Sequence, residues 1–432
     1  MSQAAETEKL NELSASEAAR RIARGELTSE ALVAACLERI EAREGVVGAW
    51  QYLDPRAAIV EARARDRESR RGRLHGVPIG VKDIFDTAAM PTCYGSPIYT
   101  GHRPQADAAA VRRIKEEGAI VLGKTVTTEF AYFFPGKTRN PHNPAHTPGG
   151  SSSGSAAAVA DFMVPLAFGT QTAGSVIRPA AFCGVVGFKP SHGEIGMAGV
   201  KPLSPSLDTI GVFAHTVEDI DLLARVLAKA DPATPELVFL RPQRVGYCRT
   251  EHWHQAEPAA VAALDAMAVG LRRAGVDVVD LNLPDAFHGL AEEQQVIMAF
   301  EMRLALAAEW REHAGQLSER LRELLESGRN CPESRYEVAL RRAAAARSAF
   351  ESLLGMVDLL ITPSAPGEAP MGTATTGDPI FNRIWTLLHV PCLTLPAARG
   401  PQGLPVGVQL VGRFKGDHQL VARARWIEAE VA

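Results

Sequence analysis

The spacing of apolar side chains follows two different patterns along this chain. Over residues 28–44 the apolar positions recur every three or four residues, which predicts an amphipathic helix. A shorter helix is predicted before it, because Ser14 and Glu17 have the spacing of a capping box and Gly25 separates the two stretches. We expect these first helices to pack on the outside of the molecule.

From residue 74 to residue 216 the pattern changes to short apolar runs rich in β-branched residues, separated by alanine-rich stretches and glycine or proline turns. These runs cover residues 77–81, 119–122, 164–168 and 185–188. Strands that alternate with helices in this way are typical of an α/β fold. We therefore predict a mixed, largely parallel β-sheet core that is covered by helices on both faces.

The remainder of the chain continues this architecture. Further strands are predicted at residues 245–247, 276–281, 357–362, 393–395 and 406–411, a further helix at 258–274, and two long helical stretches at 290–326 and 333–354. The two long helical stretches are expected to form a cap-like part at about 290–356. We expect a single domain over residues 1–432, with the region that carries the chemistry at about 74–216.

Composition and charge exclude several classes of function. The 432 residues are 46% apolar and 22% charged, with a net charge of −4 and no long basic or acidic block, so nothing favours nucleic-acid binding. The first twenty residues are polar and acidic, and no apolar segment has the length of a membrane span. We expect a cytoplasmic protein without membrane association. The six cysteines include no Cys-x-x-Cys pair, so we expect reduced, mostly buried thiols rather than disulfides or a zinc site.

A run of glycine and serine at residues 149–155 is the first candidate for chemistry. Such a run is often a flexible linker, but an alanine-rich helical stretch and an apolar strand follow it here, which indicates a buried position. A phosphate cradle is a second alternative, although the chain lacks the glycine-rich motifs that bind nucleotides after a strand. Glycine-rich backbone beside serine is also what acyl transfer requires, and this interpretation is favoured.

Two serines that lie 24 residues apart support an acyl-transfer site. Ser151 in the glycine–serine run has the character of a proton relay, and Ser175 that of a nucleophile. The backbone N–H groups of Thr172, Ala173 and Gly174 can form an oxyanion hole for the carbonyl oxygen that becomes negative.

A serine hydroxyl needs a base, and Lys82 is the candidate. It ends an apolar segment, so that burial can lower its pKa and leave it partly neutral, and no histidine occupies a suggestive position. The alternative is an ordinary surface lysine that forms an ion pair with Asp83 or Asp86.

Three segments together resemble the amidase signature hydrolases. They are GVPIGVKD at 76–83, PGGSSSGSAAAVA at 148–160 and GTQTAGSVIRPAAFCGVVGFKP at 169–190, in the order and at the spacings of that family. The resemblance covers nearly the whole chain and implies the fold of that family and a Ser-cisSer-Lys triad. In that triad Ser175 is the nucleophile, Ser151 is the bridging serine that follows a cis peptide bond, and Lys82 is the base.

The resemblance also implies a mechanism. Neutral Lys82 accepts a proton from Ser151, which accepts one from Ser175 as this serine attacks the carbonyl carbon of a linear C–N bond. No metal or cofactor is needed. A homodimer is a further implication of the resemblance.

The loop that carries the nucleophile departs from the common family pattern Gly-x-Asp-x-Gly-Gly-Ser-Ile-Arg. Gln171 replaces the aspartate, Ala173 replaces a glycine, and Arg178 follows the nucleophile by three residues instead of two. With segments 140–143, 376–379, 382–383 and 385–387, this variant most resembles malonamidase-type enzymes. In that group the matching arginine binds a substrate carboxylate. Arg178 is therefore either a carboxylate clamp or a structural ion-pair partner of the loop, and Gln171 is a further candidate substrate contact.

Three consecutive aromatic residues, Tyr132, Phe133 and Phe134, lie in a stretch that is expected to border the substrate pocket. In the pocket they would favour an apolar or aryl group, which makes anilides, aryl esters and carbamates candidate substrates, as in the urethane hydrolases that resemble this subgroup. In the core they would have no such role.

The sequence keeps one different class of function open. The glutaminase component of a tRNA-dependent amidotransferase has the same triad but passes ammonia to a partner, and this chain lacks the Asp-Thr-Gly-Gly-Ser-Ile-Arg loop of that component. The favoured prediction is an amidohydrolase that acts on a small-molecule amide or carbamate. A malonamate-type half-amide hydrolase that uses Arg178 is the alternative.

Overall fold

The computed structural model describes residues 8–228 and 239–431, in which eleven strands form one sheet. The strands are β1 Trp50–Leu53, β2 Pro78–Lys82, β3 Ile120–Thr125, β4 Leu166–Gln171, β5 Val186–Lys189, β6 Thr209–Ala214, β7 Arg244–Arg249, β8 Asp277–Asn282, β9 Leu359–Pro363, β10 Cys392–Arg399 and β11 Pro405–Val411.

Fourteen α-helices surround the sheet in the same described residues. The helices are α1 Ala15–Ala23, α2 Ser29–Val47, α3 Pro55–Arg67, α4 Ala109–Glu116, α5 Ser153–Ala160, α6 Ile177–Cys183, α7 Val217–Leu227, α8 Pro258–Arg273, α9 Leu290–Ala305, α10 Ala307–His313, α11 Glu319–Asn330, α12 Glu333–Leu353, α13 Ile380–Leu387 and α14 Asp417–Glu430.

The strand order is β1-β3-β2-β4-β6-β5-β10-β11-β9-β7-β8. Neighbours are parallel in two places, β3-β2-β4 and β9-β7-β8. The remaining neighbours, including the hairpin of β10 and β11, are antiparallel. This is the α/β fold with a mixed sheet that the sequence predicted.

Both faces of the sheet are covered, as β3 illustrates. Ile120 and Leu122 belong to one buried apolar cluster, whereas Val121 between them belongs to another. Because successive side chains of a strand point to opposite faces, the two clusters lie on opposite faces of the sheet. The predicted cover of helices on both faces is therefore confirmed.

The first helices begin where the sequence predicts. The Ser14 side chain accepts a hydrogen bond from the Glu17 N–H at 3.1 Å, which fixes the start of α1. Thr28 caps α2 in the same way through the Ala31 N–H, also at 3.1 Å. At the other end of α2, Gly48 adopts φ +64°, a left-handed conformation that costs glycine little and ends the helix.

The stretch predicted as helical over 290–326 is helical, and the structure divides it into α9, α10 and α11. The first break is at Leu306, whose backbone leaves the helical region. The second is a 3₁₀ turn at Ala314–Gln316, which contains Gly315, a poor helix former. The apolar periodicity continues across both breaks and gave no sign of them.

All six cysteines lie in the described residues and are free thiols, as predicted. Four are buried and two are partly exposed; the buried ones are Cys36, Cys183, Cys248 and Cys392. Within the described ranges, none of the helices combines the length and the apolar character needed to cross a membrane.

Candidate active site

The candidate site lies where two neighbouring parallel strands end. Strand β2 ends at Lys82 and strand β4 at Gln171, and the two pair in parallel through Ile79 and Leu166. The carboxyl ends of parallel neighbours lie at the same edge of a sheet, which is the usual place for a site in α/β proteins. This topology brings together segments that are far apart in the chain.

Lys82 is completely buried, and its two side-chain hydrogen-bond partners are hydroxyl groups. Its Nζ atom lies 2.8 Å from Ser151 Oγ and 2.7 Å from Thr170 Oγ1. Burial holds the pKa of Lys82 well below its ordinary value, against the smaller opposing effect of the Asp208 charge. A lysine with a lowered pKa can act as a neutral amine that accepts a proton from a hydroxyl group.

The alternative ion pair of Lys82 with Asp83 or Asp86 is not formed. Asp83 instead pairs with Lys124, at 3.0 Å between Oδ1 and Nζ. Asp86 accepts a hydrogen bond from the Tyr94 hydroxyl at 2.6 Å. Both carboxylates are therefore engaged away from Lys82.

The glycine–serine run is part of the core and not a linker. Residues 149–155 are all buried, and α5 begins at Ser153 and packs against β4 and β2. The peptide bond between Gly150 and Ser151 is cis. Gly154 allows the close packing of α5, because a Cβ atom there would overlap the Ala49 carbonyl oxygen.

Ser175 lies in the turn between β4 and α6. The Gln171 side chain stabilises this turn through hydrogen bonds to its backbone. The Gln171 side-chain oxygen accepts hydrogen bonds from the N–H groups of Val176 at 2.9 Å and Ile177 at 3.1 Å. Its amide nitrogen donates to Thr386 Oγ1 at 3.0 Å. The structure therefore places Gln171 beneath the turn and not at the cavity, where the sequence had placed it as a substrate contact.

A narrow cavity with about 250 Å³ of empty space opens beside the two serines. It is lined by Ala131, Tyr132, Phe133, Ser151, Thr172, Ala173, Ser175, Arg178, Leu203, Met298 and Thr376. The structure thus brings Ser151 and Ser175 to one space, together with two of the three predicted aromatic residues. Phe134 does not line this cavity, and its side chain is half exposed.

Sequence reasoning missed several residues at or beside the cavity. Thr170, which contacts Lys82, lies inside the segment 169–190 quoted above, and its place in that segment was the available signal. Leu203 and Met298 reach the cavity from a loop and from α9, and their sequence context carries no signal that points to the site.

Asp208 is a buried carboxylate that joins two walls of the cavity. One of its oxygens accepts a hydrogen bond from Thr172 Oγ1 at 2.5 Å, and the other accepts from the N–H groups of Leu203 at 2.8 Å and Ser204 at 3.0 Å. Burial raises the pKa of Asp208 to about 6, although these hydrogen bonds favour the ionised form.

Arg178 is 1% exposed, and it holds backbone groups of the site. Its Nε donates to the Thr376 carbonyl at 2.8 Å, and its Nη2 donates to the Gly150 carbonyl at 2.7 Å. Its Nη1 has no hydrogen-bond partner among the described residues. The Phe133 ring lies 5.5 Å from the guanidinium carbon. Burial lowers the pKa of Arg178, but a guanidinium remains charged at neutral pH.

Comparison with known proteins gives a consistent result. The family model described as Amidase matches residues 31–421. The chain is 35% identical to a glutamyl-tRNA(Gln) amidotransferase component from Chloroflexus aggregans, over 94% of this chain and 93% of that protein. A crystal structure of an amidase superposes with a TM-score of 0.88 at 32% identity, over 97% of this chain and 100% of that one. The peptide amidase of Stenotrophomonas maltophilia superposes with a TM-score of 0.83 at 30% identity, over 97% of each chain.

Proposed function

This chain belongs to the amidase family, whose members hydrolyse amide C–N bonds, and from that premise we propose that it cleaves a linear C–N bond of a small molecule through an acyl-enzyme on Ser175. The observation that carries the proposal is the contact of buried Lys82 with the Ser151 hydroxyl, at the cavity that Ser151 shares with Ser175.

In the proposed reaction, Ser175 Oγ attacks the carbonyl carbon of the substrate. Its proton passes to Ser151, and the Ser151 proton passes to the neutral amine of Lys82. The carbonyl oxygen becomes negative and is bound by backbone N–H groups of the loop 172–174. Ser151 then delivers a proton to the leaving nitrogen, the C–N bond breaks, and the amine departs. Water attacks the acyl-enzyme by the same route and releases the acid.

The cavity is narrower than the usual range for ligand pockets, so its walls must move apart to admit an acyl group, and a compact group requires the smallest movement. Nη1 of the buried Arg178 is a donor without a partner among the described residues. It favours a substrate whose acyl group carries an acceptor oxygen, as in a half-amide such as malonamate. Tyr132 and Phe133 instead support a flat apolar group, as in an anilide or an aryl carbamate.

The first experiment measures release of acid and amine from malonamate, a neutral anilide and an aryl carbamate. Wild-type turnover is expected for at least one substrate, Ser175→Ala should abolish it, and Lys82→Ala should lower it by about 10³-fold. Ser153→Ala is the matched control, because Ser153 belongs to the same serine run but lies outside the cavity. Full turnover by Ser175→Ala would refute the assigned nucleophile.

A second prediction concerns Arg178. Arg178→Ala should lower kcat/KM for malonamate by about tenfold or more relative to the neutral anilide, because a buried charge-assisted hydrogen bond to the carboxylate is lost. The anilide serves as the internal control, since the bonds of Arg178 to Gly150 and Thr376 affect both substrates equally. Equal losses on both substrates would leave Arg178 with a structural role only.

A second candidate function follows from the curated relatives, which include amidotransferase components that are 31–35% identical to this chain. A glutaminase component of such a complex would be purified with its partner proteins from its native cells and would release ammonia from glutamine. Purification as a single kind of chain, with turnover of the substrates above, favours the small-molecule hydrolase. Size-exclusion chromatography of the same preparation tests the homodimer that the sequence resemblance implies.

A further inference from the structure

Two carbonyl groups of the loop 172–174 are held by side chains that come from helices far along the chain. The Gln294 amide nitrogen, on α9, donates to the Thr172 carbonyl at 2.9 Å. The Thr386 hydroxyl, on α13, donates to the Ala173 carbonyl at 2.8 Å. Both side chains are completely buried or nearly so, at 0% and 1% exposure.

These two bonds determine the direction of the N–H groups that follow. In a trans peptide unit the N–H points away from the C=O of the same unit. Because the Thr172 carbonyl faces Gln294, the Ala173 N–H faces away from α9, and because the Ala173 carbonyl faces Thr386, the Gly174 N–H faces away from α13. Neither N–H group donates a hydrogen bond to any described residue, and Ala173 lines the cavity.

The orientation of the Gln294 amide is itself fixed by chemistry. Its oxygen accepts a hydrogen bond from Arg383 Nη1 at 2.7 Å. An arginine can only donate and a carbonyl oxygen can only accept, so the amide cannot turn over without losing both bonds. Arg383 also lies 5.9 Å from the centre of the Phe133 ring, which lines the cavity.

Helix α13 approaches the loop closely enough to restrict its conformation. A Cβ atom at Gly174 would overlap Asn382 Oδ1 and would lie 2.7 Å from Pro379 Cβ, so only glycine fits there. The Thr386 hydroxyl also accepts a hydrogen bond from Gln171, the residue that supports the turn at Ser175. The loop 172–174 is therefore hydrogen-bonded to side chains of two helices, α9 and α13.

We propose that Gln294 and Thr386 are positioning residues that aim the Ala173 and Gly174 N–H groups at the carbonyl oxygen of the substrate, with Arg383 fixing Gln294. The proposal rests on the proposed function, since these N–H groups matter only where a negative oxygen develops. It makes the helices α9 and α13 part of the catalytic apparatus, although neither supplies a reacting group.

The test compares kcat, KM and inhibition by phenylboronic acid, whose tetrahedral adduct with a serine presents an oxygen at the oxyanion position. The variants are Gln294→Met and Thr386→Val, which keep the side-chain size and remove the donor. Gln295→Met is the matched control, because Gln295 is exposed on the same helix. Thr386→Ser restores the hydroxyl and is the rescue variant.

We expect Gln294→Met and Thr386→Val to lower kcat by about 10–100-fold, less than the loss of an oxyanion donor itself, with KM changed by less than about twofold. Binding of phenylboronic acid should weaken by a similar factor. Gln295→Met should match the wild type, and Thr386→Ser should keep kcat within about threefold of it.

Unchanged kcat and boronate affinity in both variants, or a rise in KM alone, would overturn the inference. Thermal unfolding of each variant identifies a protein that fails to fold; if Gln294→Met fails, the Thr386→Val and Thr386→Ser pair decides the question. Wild-type turnover and its loss in Ser175→Ala test the proposed function separately, so the two failures are distinguishable.

Discussion

Two lysines in neighbouring strands are completely buried, and their partners give them different chemistry. Lys82 on β2 contacts two hydroxyl groups, whereas Lys124 on β3 forms an ion pair with Asp83 and donates to the Phe85 carbonyl at 2.8 Å. Desolvation lowers the pKa of both lysines, but only Lys124 has a carboxylate in contact that favours its charged form. Burial of Lys82 without a carboxylate in contact therefore has a cost to stability, which is consistent with a role as the base.

This difference predicts opposite effects of the same substitution. Lys82→Met should raise the free energy of unfolding at pH 7 by about 1–2 kcal/mol while it lowers turnover by about 10³-fold. Lys124→Met should lower the free energy by about 3–5 kcal/mol, because it leaves the Asp83 carboxylate buried and unpaired. Urea unfolding of the two variants measures both effects, and a large loss of stability in Lys82→Met would contradict the neutral-base assignment.

The sign of the pH dependence follows from the lowered pKa of Lys82. Between its folded pKa and its ordinary value of 10.5, the unfolded chain binds the proton that the folded protein has released, so the stability of the wild type rises with pH in this window. The gain in free energy of unfolding of Lys82→Met over the wild type should therefore be largest near neutral pH and should shrink as the pH approaches 10.5. If this gain in free energy did not depend on pH, it would come from side-chain packing and not from the titration of Lys82.

The residues of the site that sequence reasoning found are those that lie in contiguous motifs. Lys82, Ser151 and Ser175 each stand in a segment whose composition is unusual, and such segments are visible without a structure. Asp208 and Gln294 reach the same loop through single long-range hydrogen bonds. An isolated aspartate in a loop or a glutamine on a helix carries no local sign of its partner, so only the fold identifies them.

At the scale of the element, the strands that are continuous apolar runs were predicted well. Residues 77–81 correspond to β2 and residues 119–122 to β3, because strands buried on both faces need apolar side chains throughout. Strand β1 was not predicted, since Trp50–Leu53 is four residues long and only partly buried at one edge of the sheet. The break between α9 and α10 was missed because residues 304–308 are leucine and alanine, which are all good helix formers.

The helices α9 and α12 and the loop before β6 are joined through one carboxylate. Glu301 on α9 accepts hydrogen bonds from Ser204 Oγ at 2.7 Å, Ser206 Oγ at 2.6 Å and the Tyr336 hydroxyl at 2.8 Å. The Tyr336 ring also stacks on Phe300, with 4.1 Å between ring centres. Helices α9 and α12 are thus fixed to the loop that carries Asp208.

Tyr336→Phe removes one of these bonds and keeps the stacked ring. We expect the free energy of unfolding to fall by about 1.5–3 kcal/mol, the value of a hydrogen bond to a charged acceptor, as measured by urea unfolding. Tyr52→Phe is the control, because its hydroxyl makes no hydrogen bond to the described residues. An equal change in both variants would show that the bond to Glu301 contributes nothing specific.

For the whole molecule, the continuity of the sheet is the feature with the widest consequence. The pairing of β5 with β10 joins the strands that precede residue 216 to those that follow residue 244. No edge separates the two groups of parallel strands in the described residues. We propose on this basis that the chain folds as one domain.

This proposal predicts one calorimetric unfolding transition. Leu410→Ala, in the completely buried centre of β11, should cost about 2–5 kcal/mol and should move the whole transition to lower temperature. Val60→Ala is the control, since the Val60 side chain is 66% exposed. A Leu410→Ala profile that splits into two peaks, one of them at the wild-type temperature, would show two independent units.

The position of β10 and β11 also bears on how the protein is made. A ribosome synthesises these two strands after every other strand of the described sheet, yet they occupy its middle, between β5 and β9. Until they emerge, the nascent chain has two partial sheets with open edges, and open edges invite pairing with other chains. We expect translation to be the period of greatest risk of aggregation for this protein, and chaperones that shield strand edges to matter most during it.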